Sequence, residues 1–445
     1  MATHNIKKGA AVALAFVVVS WLILESGSTA VGGMSVSRTL RVGFDPFGIA
    51  VNPSTDRVYI YVLGPPPVER PPRSSVVVLD GATSAVLANI SVGYAGGLGE
   101  DQPISEDSSN GMVYLVTAGE ANRYLNVIDE HTDQLVANVS LGGCASNIAV
   151  NPKTGMIYVA QFAQSNWKTC KGSPPGHGSV SVVDSKTYRI LTNITLPVPG
   201  APPTELAVDQ STNMLYTYEA ASFGPITIIN CTSNTIVKSL TFNDSIWSLV
   251  VNPTTDRIYA TGVGARGVLN STGSIVYERV GIVHVIDGTT YRVVANATTG
   301  PPVPLGSLTG TLPSWTAIDP VNNLLYGVDS NVGDDCNQTT AGTVWAMNLS
   351  TFSVESKATV GLCNDLVAIG VDSSSNSVYV LGGDLLNPSD YTYVLNGVGV
   401  ISNSSSSESP RGIIELPFQV LMVSVLAIAV VVAYSVERSH RHHLK

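Results

Sequence analysis

The residues of this 445-residue chain that could carry chemistry are few and poorly grouped: five cysteines, seven histidines and scattered acids. Haem attachment, zinc proteolysis and the common serine-hydrolase arrangement each need a defined spacing, because the reacting groups must meet on one turn or helix face. No Cys-X-X-Cys-His, His-Glu-X-X-His or Gly-X-Ser-X-Gly occurs. Apart from His4 and the tail, the histidines are His131, His177 and His284, which share no common setting. Gly262 to Gly267 lacks the lysine of a phosphate-binding loop and a following helix. Asp334 and Asp335, with Asp329 nearby, offer hard oxygen ligands for calcium, against the plainer reading of a solvated acidic loop. No catalytic residue, cofactor or metal site is singled out, so a catalytic reading fares worse than a binding one.

The elements that must position binding residues emerge from an internal repeat. PFGIAVNPSTDRVYIYV from Pro46, SNIAVNPKTGMIYVA from Ser146 and SLVVNPTTDRIYATG from Ser248 are one motif, with weaker copies from Glu205, Thr316 and Ala368 and a degenerate one from Ile104. Each reads as an apolar strand, a turn built on Asn or Asp, and a second strand carrying Tyr59, Tyr114, Tyr158, Tyr216, Tyr259, Tyr326 or Tyr379. A second hairpin follows each, as in SVVVLDGATSAVLANISVG from Ser75. Asp80, Asp129, Asp184, Asn230, Asp287 and Asn348 share its turn position, where a short side-chain oxygen bonds the turn backbone; these read as turn residues rather than metal ligands. Four strands per unit, with the tyrosines 43 to 67 residues apart, match a propeller blade. The expected fold is all-β: a seven-bladed β-propeller. Its last unit lacks a fourth strand, and Ser35 to Gly43 resembles the fourth strands of the others, so the N-terminal strand should close the last blade.

Propellers bind on the faces of the disc. Just before the first strands lie Phe47, Asn147, Glu205, Trp247, Trp315 and Asp365, which the register places near one end of the central channel. Aromatics mixed with short polar groups suit stacking on a sugar or gripping a peptide; the competing reading is that Phe47, Trp247 and Trp315 wedge neighbouring blades together. Extended loops are expected over Pro65 to Arg73, Gln161 to Gly178, Gly264 to Val280 and Asn331 to Ala341, and Trp167 sits in the second. The disulfide pairings to test are Cys144 with Cys170 and Cys336 with Cys363, leaving Cys231 over.

Composition and the chain ends set the compartment. Charged residues are only 13% of the chain, and Val31 to Arg411 holds 30 acidic against 18 basic residues. An acidic surface argues against nucleic acid, which needs basic stripes. Lys7 and Lys8 precede the 16-residue apolar run Gly9 to Leu24 and the small residues Ser28-Thr29-Ala30, a secretory signal pattern, here taken as residues 1–30. The same Lys7-Lys8-Gly9-Ala10 also resembles a pilin-type export signal cut before the apolar run. Leu416 to Tyr434 has 19 residues without a charge, enough to cross a bilayer. Arg438, Arg441 and Lys445 follow and place the tail inside the cell. The expected organisation is a propeller over 31–402, a Ser-rich stalk over 403–412, a single transmembrane helix over 413–434 and a basic tail over 435–445. Ten sequons, at Asn89, Asn138, Asn193, Asn230, Asn243, Asn270, Asn296, Asn337, Asn348 and Asn403, suit an exported chain; the first three and Asn296 share one register of the fourth strand, the blade's outer edge.

The Asn-Pro-Ser/Thr hairpins with Tyr, and the Val-Ile-Asp-Gly turns, resemble the YVTN-type β-propeller repeat family of exported and archaeal surface-layer proteins, over Ser35 to Ser402. The resemblance implies the fold and carries no functional residue over, since Tyr-Ile-Tyr, Tyr-Val-Ala and Tyr-Ala-Thr stand where the family has Tyr-Val-Thr-Asn. The expectation is a cell-surface binding or scaffold protein held in the membrane, its partner an envelope protein, a glycan or a peptide. The alternatives are an extracytoplasmic propeller enzyme, a lyase or quinoprotein-like oxidoreductase, and a structural envelope subunit.

Overall fold

The structure is a computed structural model that describes residues 33–403, apart from 64–72, 95–102, 119–122, 163–175, 221–222, 270–271, 305–310, 332–341, 361–364 and 384–396. The chain divides into two units, Met1–Ser404 and Ser405–Lys445, and the second lies wholly outside the described residues, as do the expected signal and transmembrane segments. Among the described residues no helix is long and apolar enough to cross a membrane.

The described chain is an all-β propeller. After β1 (Met34–Arg41), strands follow in groups of four: β2 to β5 (Phe44–Asn52, Arg57–Leu63, Arg73–Asp80, Val86–Tyr94), β6 to β9 (Ile104–Asp107, Met112–Ala118, Arg123–Asp129, Gln134–Ser140) and β10 to β13 (Cys144–Asn151, Met156–Phe162, His177–Asp184, Ile190–Pro199). Next come β14 to β17 (Pro203–Asp209, Met214–Glu219, Ile226–Asn230, Thr235–Leu240) and β18 to β21 (Ser245–Asn252, Arg257–Leu269, Ile275–Asp287, Arg292–Thr298), with the short β22 (Val303–Pro304) paired to β20. The chain ends with β23 to β26 (Thr311–Asp319, Leu324–Asn331, Gly342–Asn348, Ser353–Val360) and β27 to β29 (Asp365–Asp372, Ser377–Gly383, Gly397–Asn403). Within each group neighbours pair antiparallel, and β1 adds to β29, so that the first strand completes the last group.

Seven separate sheets are expected from the repeat, and six are found. Tyr94 of β5 pairs with Ala118 of β7, and this link merges the first two groups into one eight-stranded sheet. The first strands of the groups contact one another in a closed circuit, β2, β6, β10, β14, β18, β23, β27 and back to β2. A second expectation changes as well: Gly264 to Val280 is not a loop. β19 and β20 run on as a hairpin arm paired continuously from Arg257↔Asp287 to Leu269↔Ile275.

Local chemistry explains why each group looks alike. Asn52, Asp107, Asn151, Asp209, Asn252, Asp319 and Asp372 end the first strands, all nearly or fully buried, and each accepts the backbone N–H two residues on through Oδ1. The turn then needs a left-handed residue, which is Asp56, Gly111, Gly155, Asn213, Asp256, Asn323 or Asn376. The seven tyrosines on the second strands are all within 1% of complete burial and pack into the clusters between neighbouring strands. Each such ring contributes about 2 to 3 kcal/mol of burial. Tyr379 also donates its hydroxyl to the Gly81 carbonyl at 2.9 Å, tying β28 to the turn after β4. All these turns lie at the end of the disc where the first strands finish, the turn face; the first strands begin at the opposite, loop face.

Candidate functional site

Around the axis, the first strands enclose a cavity of about 320 Å³. Its polar lining is Ser105, Asn147, Glu205, Ser248 and Thr316, set among Ile, Val, Ala and Leu. Part of that polarity holds the ring together. Asn147 Nδ2 donates to the Thr204 carbonyl at 2.8 Å, across β10 to β14, and Ser248 Oγ meets Thr316 Oγ1 at 2.8 Å, across β18 to β23.

The expected channel-end residues divide. Asn147 and Glu205 line the cavity, both buried. Phe47 lies 4.6 Å from the Tyr61 ring and packs into the cluster shared with Ile104, while Trp315 is buried among Val328, Val344, Leu366 and Ile369. Both therefore act as wedges between strands. Trp247 does neither: it is 42% exposed. Trp167 lies outside the described residues, and of Asp365 only the backbone, in β27, is described.

The reason is a β-bulge near the loop-face end of six first strands, between Phe44 and Gly48, Ala145 and Ile148, Pro203 and Glu205, Ile246 and Ser248, Pro313 and Thr316, and Leu366 and Ala368. An extra residue there rotates the alternation, so neighbours exchange inward and outward directions. Ser248 and Thr316, each one residue past an expected tryptophan, thereby reach the cavity. No sequence signal marks a bulge on an Ile-Trp-Ser or Ser-Trp-Thr run, and sequence reasoning misses them.

The loop face of the β18–β21 sheet presents an apolar surface. Besides Trp247, the hairpin arm exposes Leu269, Ile275 and Tyr277 by 58 to 69%. The expected sequons Asn270 and Asn337 lie outside the described residues. Asn89, Asn138, Asn193 and Asn296 are all exposed on fourth strands, and the last three bond the third strand alongside: Asn138 to Asn126, Asn193 to Ser181, and Asn296 to His284. Asn230 and Asn348 instead cap the second-hairpin turns through Oδ1, Asn243 lies between β17 and β18, and Asn403 ends β29.

Polar groups elsewhere are engaged structurally. His284 Nε2 bonds Asp244 at 2.8 Å and its ring packs on Phe242, while His177 Nδ1 meets the Leu196 carbonyl and His131 is largely exposed on a turn. Glu219, raised by burial, accepts from Thr227 Oγ1 and the Val198 N–H. Asp329, a calcium candidate in sequence, is buried and accepts from Trp345 Nε1 at 2.7 Å; Asp334 and Asp335 lie outside the described residues. Among the described residues no group of three or more His, Cys, Asp or Glu is placed to hold a metal ion. Cys144 is disulfide-bonded to a partner outside the described residues, and Cys231 is a buried free thiol that desolvation pushes up to about 11. Cys170, Cys336 and Cys363 lie outside them.

Fold and cavity define the class as β-propeller. The chain is similar in structure to a chain of hydrazine synthase from Kuenenia stuttgartiensis, with a TM-score of 0.57 at 16% identity, over 81% of this chain and 96% of that one. At that identity the likeness concerns the fold alone. No family model matches the chain. No curated protein matches it by sequence.

Proposed function

We propose that the chain is a seven-bladed, YVTN-type propeller, exported and anchored by Leu416 to Tyr434, that works as a cell-surface binding or scaffold protein. The closed circuit of seven first strands supports seven blades, with the Tyr94–Ala118 pair as a bridge between two of them. The binding reading is carried by one observation: the apolar side of the hairpin arm, where Leu269 stands opposite Ile275 and Tyr277 follows two residues on, all three exposed. Grouped exposed apolar side chains of this kind mark interaction sites, whereas single ones do not. Aromatic and aliphatic side chains together suit a protein or peptide partner of the cell envelope, and Asn147 and Glu205 give the axial cavity part of its polar lining.

A photo-crosslinking residue at position 277 should capture one envelope partner on intact cells, and the same residue at position 131, on the turn face, should not. Equal capture from both positions, or a Leu269→Ser/Tyr277→Ser chain that captures as well as the parent, rejects the reading. A second expected result concerns the rim. Mass spectrometry of the native protein should find glycans on Asn89, Asn138, Asn193 and Asn296, where they blunt edge-to-edge pairing; four unmodified asparagines reject rim shielding.

A further inference from the structure

The fourth strands share a feature that the turns and the core do not require. Six residues after each second-hairpin turn Asp or Asn, five of them carry two successive exposed aliphatic side chains, including Val86–Leu87, Ile190–Leu191 and Val293–Val294, with equivalents at 135–136 and 236–237. Each is 38 to 59% exposed. Each pair sits at a β-bulge, where its second residue is the extra one and the two together oppose a single residue of the third strand, so two aliphatic side chains stand at the same level of the rim in each of these blades. These pairs sit where the fourth strands leave the turns, at the turn face, and Val321, 76% exposed on a first-hairpin turn, joins them there.

Two further observations concern the same face. Met34, which opens β1, pairs with Asn403, which closes β29, and Ser402 pairs with Ser377, the first residue after a turn-face turn. The chain therefore both enters and leaves the propeller at this face. Residues 404–445 follow directly, with the 19-residue uncharged run Leu416 to Tyr434 after a short Ser-rich segment. Exposed basic side chains lie on the turns of this face at Lys153, Lys186 and Arg189, with Arg292 opening β21, while Glu355 is exposed where the sixth fourth strand has the equivalent of Leu87. The aspartates of this face are buried or half-buried, holding turn backbone as Asp80, Asp184 and Asp287 do, or pairing with arginine as Asp133 does.

We propose that the turn face rests on the lipid surface, with the aliphatic pairs of the fourth strands at the headgroup boundary and the exposed lysines and arginines against lipid phosphate. Apolar groups beside basic ones are the combination that interfacial segments use, and the chain that leaves the propeller at this face leads on in sequence to the uncharged run Leu416 to Tyr434. The inference rests on the membrane-anchored reading, and it turns the loop face, with Trp247 and the hairpin arm, away from the bilayer.

The test uses the full chain in phosphatidylcholine vesicles, with a nitroxide label on Leu191→Cys, Val237→Cys or Val294→Cys and, as reference, on Trp247→Cys. All four positions are exposed, so folding is not at stake, and Cys231 is buried. The turn-face labels should relax strongly with oxygen and be protected severalfold from a water-soluble nickel complex, whereas the label at position 247 should be nickel-accessible. Nickel access equal at all four positions, in a chain that stays with the vesicles after alkaline washing, overturns the docking while leaving the anchor intact. A chain that leaves the vesicles on washing overturns both. Protection from oxygen and nickel alike indicates a protein cover and also overturns the proposal.

Discussion

Replacing Trp345 by alanine should destabilise the propeller by about 3 to 5 kcal/mol, the range for removing a fully buried tryptophan. Trp345, on β25, has no exposed surface, and its indole lies over Gly327 of the neighbouring β24, where a Cβ would fall inside the ring. Its Nε1–H is also the donor to Asp329. That carboxyl is raised to about 6 by burial, against the lowering effects of the Trp345 bond and the Lys357 charge. Truncating the ring therefore leaves a cavity and an orphaned acid together. Trp345→Phe separates the two, keeping most of the volume and losing the donor, and should cost about 1 to 3 kcal/mol. Gly327→Ala should cost a similar amount through overpacking. Added to Trp345→Ala, however, it should cost almost nothing, since the methyl enters the space vacated by the indole. Urea unfolding followed by circular dichroism measures all four variants. Additive costs for Gly327→Ala and Trp345→Ala would show that the two residues do not share one packing site.

The second large effect is on pH. Stability should pass through a maximum near about pH 4 and decline by on the order of 2 to 4 kcal/mol toward pH 9. Glu106 is raised to about 8, first by burial and then by the charges of Glu130 and Asp107. Asp56 is raised to about 6, first by a hydrogen bond with the Asp372 carboxyl and then by burial. Asp256 is raised by burial and by Asp209. These contacts are acid against acid, and Asp56 Oδ1, Asp372 Oδ2, Asp209 Oδ2, Asp256 Oδ1 and Glu106 Oε2 have no hydrogen-bond partner; a proton supplies one. The folded chain thus holds protons between about pH 4 and 8 that the unfolded chain has released, and stability falls as pH rises through that window. Asp80, Asp184 and Asp287 act oppositely. Hydrogen bonds from Thr83, Thr187 and Thr290 lower them, so their contribution disappears below the ordinary carboxylate range. Thermal melts from pH 3 to 9 report the curve, and Glu106→Gln should flatten its alkaline limb. A melting temperature that climbs from pH 5 to 8.5 would contradict this account.

Asp56 with Asp372 and Asp209 with Asp256 were legible in sequence only as turn residues. Each belongs to the hairpin turn of a different unit, and nothing local to one unit indicates that the end of one first strand meets the left-handed residue of the next. The cavity was half legible for a related reason. Asn147 and Glu205 follow the repeat register, but the bulges displace Trp247 and Trp315 and put Ser248 and Thr316 in their place. The hairpin arm was hidden because Gly264, Gly267 and Gly273 read as loop residues, whereas pairing between β19 and β20 carries the strands through the first two.

What the sequence determined by itself is whatever one unit encodes locally. The Asx turn at Asn52 or Asp372, the second-strand tyrosine, the tight turn at Asp80 and the strand that β29 lacks are each dictated by backbone hydrogen bonding and burial within a few residues. The tertiary structure decided what depends on neighbouring units: which polar residues reach the axis, which carboxyls share a proton, and that Tyr94 and Ala118 join two groups into one sheet. It also placed the start of β1, the end of β29 and the aliphatic edge pairs on one face. The physical reason is that alternation along a strand assigns a side chain to one side of its own sheet, whereas closure of the ring determines what stands opposite it.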